Sequence, residues 1–338
     1  MTHTEQNTAA DEHAARSQSW SRYWSSGVLH SCPGSFRGNY DGAIAEFWKD
    51  AFAALTSAQR VLDVASGNGA LPRLLFGLDG GNDCGCRVDA IDLATLAPTW
   101  LGALNDAQRS RLHLHSGVLA ERLPFSDASF DLVVSQYGIE YADLTAALAE
   151  SARVLRPQGG LRLLMHHREA LPVRKGAVEA GLLDGLLAAG GLIDAAHRML
   201  PWLALAANDR GRAQLQGNAA ANADRAAFNN VQQRIAEEIA HAGNDADILH
   251  EVRDQIQKLF AIAQAQGIER ANAACAQLRL AYAEHRLRAH ELVTHALDVD
   301  RMKALMRELD GLGFAAVTAQ PLSYQSHLMG WALRADRA

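Results

Sequence analysis

The chain has 338 residues, 49% hydrophobic and 21% charged, a globular composition rather than a disordered or collagenous one. At this length one large domain with an insertion, or two domains, is expected, because single cores stop growing near about 250–300 residues. The formal charge of -6 lacks the excess of Lys and Arg that marks a dedicated nucleic-acid binder. No run approaches the roughly 18 consecutive apolar residues of a membrane span.

The opening residues, MTHTEQNTAADEHAA, lack the basic-then-apolar layout of a secretion signal. The expectation is a cytoplasmic protein that binds neither nucleic acid nor membrane. Residues 1–16 are polar and aperiodic and read as a disordered tail. From 17 to 54 the texture turns aromatic, with Trp20, Tyr23, Trp24, Phe36, Tyr40, Phe47, Trp48 and Phe52 around a Gly/Ser/Pro-rich loop. Two short helices flanking an ordered loop fit this stretch, either as a lid over a site or as a pair packed on a sheet edge.

Five apolar β-type runs follow, at 60–65, 86–93, 111–117, 130–136 and 160–166, separated by helical patterns. That alternation predicts an α/β fold with a parallel sheet. The helix from Leu144 to Leu155 stops at Arg156-Pro157-Gln158-Gly159-Gly160, a Pro/Gly break. Between 170 and 299 the β signal vanishes. Apolar residues at spacings of three and four, such as Val231, Ile235 and Ile239, predict four or five helices punctuated at Gly190-Gly191, Pro201, Gly217 and Gly243-Asn244. A helix and two strands, 314–320 and 327–335, close the chain from about 300 to 338, so the helical block reads as an insertion in one α/β domain. It is expected to form an acceptor pocket or a homodimer contact.

Cys32, Cys84, Cys86 and Cys275 are too scattered for a disulfide framework and read as reduced thiols. Cys84-Gly85-Cys86 lacks a second pair at metal-ligand spacing, so no metal site is expected.

The sharpest feature is the strand end Val61-Leu62-Asp63-Val64 running into Ala65-Ser66-Gly67-Asn68-Gly69 and a helix. Gly67 and Gly69 lack a Cβ and let a ligand approach the backbone. A dinucleotide fold wants a third Gly where Pro72 stands, and Asp63 repels a pyrophosphate. A cationic or zwitterionic ligand is favoured. Asp92 ends the second strand, a position from which a carboxylate holds vicinal ribose hydroxyls. Asp89, in mid-strand, reads as a surface or edge residue.

DVASGNG is similar to the acidic, glycine-rich first motif of class I S-adenosylmethionine (SAM) dependent methyltransferases, with Ala65 replacing its first Gly. The run Gly117-Val118-Leu119 through AERLPFSDASFDLVVS resembles the group containing the ubiquinone and menaquinone biosynthesis C-methyltransferases. The resemblance covers about 55–168. It implies a seven-stranded Rossmann-like sheet whose last strand is antiparallel, with SAM at the carboxyl ends of the strands. It assigns Asp63, Ala65, Ser66, Gly67, Asn68, Gly69, Asp92, Leu93, Gly117, Val118, Leu119, Ser135 and Gln136 to the cofactor. An acid that often meets the adenine amino group falls on Leu119, leaving the backbone around Val118 and Leu119, or Glu121, for that task. Ala65 is expected to be tolerated unless its backbone needs a positive φ.

Methyl transfer is an in-line displacement that needs alignment, desolvation and, for some acceptors, a base. Tyr137 and Glu140, after the fourth strand, and His166 and His167, ending the fifth, are the catalytic candidates. Adjacent strand residues face opposite ways, so at most one of the two histidines enters the site. His113 and His115 read as structural. Tyr23, Trp24, Tyr40 and Tyr141 are the candidates for binding a small-molecule acceptor. An NAD(P) oxidoreductase is disfavoured by Pro72 and Asp63, and nucleic-acid methylation by acidity and by SQYG after strand four. A methyltransferase-like binding or scaffold protein is the remaining alternative.

Overall fold

A computed structural model describes residues 3–32, 36, 38–80, 83–243 and 246–338. Asn244, Pro33, Gly34, Ser35 and Arg37, which belong to the breaks and loop read above, lie outside them. The described chain forms two compact units, residues 1–174 with 291–338 and residues 175–290.

The first unit is built on a seven-stranded sheet of order β3-β2-β1-β4-β5-β7-β6. Its strands are β1 (Arg60–Val64), β2 (Arg87–Asp92), β3 (Leu112–Ser116), β4 (Phe130–Gln136), β5 (Leu155–Met165), β6 (Phe314–Tyr324) and β7 (His327–Arg337). The first five pair in parallel, and β7 runs antiparallel to both β5 and β6. Alternation along the strands sends Val61, Leu132 and Val134 to one face with Trp48 and Leu71, and Leu62, Val64 and Val133 to the other with Leu148 and Leu305. Both faces are covered at β1 and β4, so these two strands are nearly continuous apolar runs rather than alternating ones.

Helices α1 (His3–Ser25) and α2 (Gly42–Phe52) precede the sheet, and α3 (Ala70–Leu75), α4 (Asp106–Arg109) and α5 (Leu144–Val154) link its parallel strands. Pro72 sits in the first turn of α3, where its missing N–H is not needed. The stretch expected as a tail is helical from His3. Polar composition hides this, but Arg16 and Ser17 tie the helix down: Arg16 Nη1 donates to the Tyr141 carbonyl at 2.7 Å and Ser17 Oγ to the Leu93 carbonyl at 2.9 Å.

Strand β5 begins at Leu155, upstream of the expected 160, because Leu155 pairs with Phe130 across a register shift; Gln158, at φ +65°, takes up the irregularity. Asp89 is buried, not a surface residue: Arg60 Nε reaches its Oδ2 at 2.8 Å and His115 Nε2 its Oδ1 at 2.9 Å. Cys84 and Cys86 are joined as a disulfide across Gly85 at φ +74°, in place of the expected reduced thiols, because that turn brings their Cα atoms to 5.4 Å; Cys32 and Cys275 are free.

Helices α6 (Leu171–Leu187), α7 (Leu192–Leu205), α8 (Asp209–Leu215), α9 (Ala219–Ala242), α10 (Asp247–Gln266) and α11 (Ile268–His295) occupy the interval read as an insertion. There are six described helices rather than four or five. Side-chain caps at Asn208 and Asn218 start α8 and α9, while Pro201 lies inside α7 instead of ending it. The second unit has its own core, with Leu183, Ile193, Leu200, Leu249, Val252 and Ile256 buried together. The stretch Leu171–Leu205 has the length and composition of a membrane span, but Gly190-Gly191 breaks it into α6 and α7. Helix α12 (Val299–Gly311) leads back to β6.

Candidate functional site

The strand order reverses between β1 and β4, and a cleft opens there at the carboxyl ends of β1, β2 and β4. Its floor is the turn after β1. Asp63 is buried and its Oδ1 has no partner, as has Ser66 Oγ. Burial pushes the Asp63 carboxyl well above the usual range; the Ser66 hydroxyl opposes this and the negative charge of Asp92 adds to it.

Asp92 Oδ2 accepts from the Gly67 N–H at 2.8 Å and Oδ1 from the Ala94 N–H at 2.8 Å, so one carboxylate joins the first two strand exits. Burial raises its pKa to about 6 against the pull of those two donors. Each oxygen keeps a lone pair for a further donor.

Ala65 has φ +55°, so the condition on which the Gly-to-Ala exchange was expected to be harmless is not met. Gly67 and Gly69 also lie at positive φ, +54° and +77°. The space their side chains would need is taken by the protein itself. A Cβ on Gly67 would lie 2.6 Å from the Trp24 ring, and one on Gly69 2.9 Å from Trp100. Asn68 fastens the same turn: its Nδ2 donates to the carbonyls of Trp24 at 2.9 Å and Val28 at 2.6 Å, and its own carbonyl accepts from Trp100 Nε1 at 2.6 Å. Asn68 thus holds the N-terminal segment, Gly69 makes room for Trp100, and neither lines the cleft.

Leu93, Ala94, Val118, Leu119, Ala120 and Glu121 form the second wall. The Val118 N–H donates to the Asp92 carbonyl at 3.0 Å, and Glu121 Oε1 accepts from the Asp143 N–H at 2.8 Å. Gly117, at φ +74°, turns the chain without lining the cleft. Ser135 is a brace: its hydroxyl donates to the Val64 carbonyl at 2.7 Å and accepts from the Ile139 N–H at 3.1 Å.

Gln136 and Tyr137 form the third wall. Trp48 Nε1 donates to Gln136 Oε1, and the opposite Nε2 is buried without a partner. Tyr137 stands at φ +53°, its hydroxyl donating to the Met329 carbonyl at 3.4 Å and its ring stacked 4.4 Å from His166. Burial holds the phenols of Tyr40, Tyr137 and Tyr141 well above their ordinary pKa. Behind Tyr137, Glu140 Oε1 accepts from both the N–H of His166 at 2.9 Å and its Nδ1–H at 2.8 Å. His166 and Glu140 do not line the cleft; they reach it through the rings of Tyr137 and Tyr141. His167 points elsewhere, stacked 4.5 Å from Trp331, with Nδ1 accepting from the Glu169 N–H at 2.9 Å. Strand alternation separates the two histidines, and His167 is not at the site.

The N-terminal segment closes the cleft. His13, Arg16, Ser17, Trp20, Trp24, Leu29, His30, Ser31 and Tyr40 line it. Arg16 Nε pairs with Glu291 at 2.5 Å, and the Thr95 N–H donates to Ser21 Oγ at 2.9 Å. Tyr23 stands outside, its hydroxyl 3.5 Å from the His30 carbonyl and its ring against Trp24. His30 is spent on structure: Nε2 donates to the Gly38 carbonyl at 2.9 Å, Nδ1 accepts from the Cys32 N–H at 3.2 Å, and burial lowers its pKa. The sequence reading missed His13, Arg16, Ser17 and Trp20 as lining residues. Their spacing of three and four puts them on one helix face with Trp24, a signal masked by treating residues 1–16 as a tail.

The lining suits an amino-acid-bearing nucleoside: Asp63 has one oxygen without a partner where an ammonium could bind, Asp92 keeps lone pairs for hydroxyl donors, and Leu93, Val118 and Leu119 are apolar as a seat for a base would be. Residues 62–163 match the family described as a methyltransferase domain. Over those residues the core is similar to a methyltransferase domain. The domain resembles the ubiquinone/menaquinone biosynthesis C-methyltransferase UbiE of Cupriavidus metallidurans, 30% identical over 167 residues, 44% of this chain and 63% of that protein. UbiE of Rickettsia felis is 37% identical over 119 residues, 33% of this chain and 47% of that one. The chain thus spans less than two thirds of the length of these relatives. Among solved structures, the geranyl diphosphate C-methyltransferase of Streptomyces coelicolor is 16% identical, with a TM-score of 0.34 over 45% of this chain and 65% of that one.

Proposed function

We propose that the protein transfers the methyl group of SAM to a small or amphipathic metabolite by in-line displacement. The observation that carries this reading is the buried Asp63 carboxyl, one oxygen of which has no partner, beside a glycine turn that Asp92 ties to the second strand. A diphosphate brings no donor for the orphan oxygen, whereas the ammonium of an amino acid satisfies it and favours the ionised carboxylate.

When bound, SAM supplies an electrophilic methyl on a sulfonium sulfur. The chain's part is to bind, orient and dry the site. Asp63 anchors the ammonium and Asp92 the ribose hydroxyls. Trp20 and Trp24, closing from α1, exclude water, which strengthens each of these interactions. Tyr137 forms the wall nearest the β1–β4 exit. Glu140 and His166 act as positioning residues, because the carboxylate fixes the imidazole and the imidazole backs the Tyr137 ring.

Calorimetric titration with SAM, S-adenosylhomocysteine and NAD tests the reading. Binding of both sulfur nucleosides without NAD binding is expected. Tight NAD binding, with the sulfur nucleosides weaker than millimolar, overturns it.

A further inference from the structure

The side-chain amide of Gln136 has only one way to face. Trp48 Nε1–H is a donor and never an acceptor, so the atom it meets is Oε1. Trp48 is itself fully buried and stacks on Phe52 at 5.7 Å, so it does not yield. Nε2 is therefore held on the other side of the amide, buried, with no acceptor at good hydrogen-bond geometry, although the Tyr40 hydroxyl is near enough for the amide to oppose the rise in its pKa. Gln136 lines the cleft together with Tyr40 and Tyr137, whose ring centroids are 6.3 Å apart, and the Tyr40 hydroxyl lies beside it. His30, packed 4.3 Å from Tyr40, has both ring nitrogens engaged and offers nothing to a ligand. This end of the cleft thus presents a fixed, unsatisfied donor against aromatic faces, whereas Asp63 presents an unsatisfied acceptor.

Building on the methyltransferase reading, we propose that Gln136 Nε2 receives a carbonyl or carboxylate oxygen of the methyl acceptor, and that this acceptor is flat and conjugated where it lies against Tyr40 and Tyr137. A site built around an unpaired donor rejects an isosteric molecule lacking the oxygen, because the donor then stays buried and unpaired. Aromatic walls favour planar partners over branched aliphatic ones.

The test is a titration of nitrogen-15-labelled protein, with and without S-adenosylhomocysteine, using acetophenone, benzoate and the oxygen-free ethylbenzene. The Gln136 side-chain amide signals are identified by their loss in Gln136→Met. Acetophenone or benzoate is expected to move those signals and to bind at least about fivefold more tightly than ethylbenzene. Gln136→Glu still accepts from Trp48 and removes only the donor, so it abolishes the discrimination in a folded protein. Equal affinity for the three probes, or discrimination that survives in both variants, overturns the proposal. So does a shift of the Gln136 signals by S-adenosylhomocysteine alone together with a tenfold loss of its affinity in the variants, which assigns the donor to the cofactor. If the nucleoside fails to bind the native protein, the methyltransferase reading falls, while the probe titrations without it still decide the role of Gln136.

Discussion

Ala65 and Gly138 are matched across the cleft floor: a methyl group on Gly138 would lie 2.5 Å from the Ala65 Cβ and 2.9 Å from the Ala65 carbonyl oxygen. Ala65 is already at φ +55°. Gly138→Ala is expected to lose about 1–3 kcal/mol through overpacking. Ala65→Gly relieves about 1–2 kcal/mol of left-handed strain, partly offset by a freer unfolded chain, for a net gain below about 1 kcal/mol. The double variant recovers part of the Gly138→Ala loss, with a coupling above about 0.5 kcal/mol in urea denaturation. Strict additivity refutes the match.

Asp92 makes nucleoside binding pH-dependent. Its carboxyl titrates near 6 in the fold and near about 4 in an unfolded chain. Between those values the native state binds more protons, so stability without ligand falls as pH rises from about 4 to 6. Asp63, shifted in the same direction, adds to that slope. Ribose hydroxyls favour the ionised form, so S-adenosylhomocysteine should bind about tenfold more weakly at pH 5 than at pH 7, where the carboxylate is fully available. Asp92→Asn should flatten its share of both profiles; affinity independent of pH in the native protein contradicts the assignment.

Glu140 satisfies two donors of one buried histidine with a single oxygen. Glu140→Ala leaves both unpaired and should cost about 2–4 kcal/mol, whereas Glu140→Gln keeps an acceptor and should cost about 1 kcal/mol. Denaturant midpoints separate the two. Equal losses show that charge, not acceptor geometry, supports His166.

Helix α1 supplies one wall of the cleft through His13, Arg16, Ser17, Trp20 and Trp24. Arg16 pins it through Glu291 and the Tyr141 carbonyl. Arg16→Ala should speed S-adenosylhomocysteine dissociation several-fold, read by stopped-flow fluorescence of Trp20 and Trp24, and should expose Arg22 to trypsin sooner. An unchanged off-rate removes the latch role.

The central strands were legible because both sheet faces are covered there, which writes β1 and β4 as apolar runs, β4 coinciding with its reading, whereas β3 alternates Leu and His. Asp63 and Asp92 were legible because a strand end fixes where a carboxylate points. What sequence did not reveal depends on partners distant along the chain. Asp89 reads as exposed until Arg60 and His115 meet it, and β5 reads as starting at 160 until Phe130 pairs with Leu155. Gly67 and Gly69 were visible as special, but the occupants of the space beside them, Trp24 and Trp100, come from either side of the turn in sequence. The orphan amide of Gln136 requires Trp48, eighty-eight residues away.

Ala170 and Val173, where α6 departs, are buried in one small cluster with Ala296, packed by Leu292 and Val293 at the return of α11; the His166 carbonyl accepts from the Leu297 N–H at 2.9 Å. The exit and re-entry points of the polypeptide are therefore stapled together independently of what lies between them. Exchanging the helical block for another of different length, or for a short glycine-serine bridge, is therefore expected to leave the sheet's wiring intact, as circular dichroism and thermal melting of the shortened chain would show.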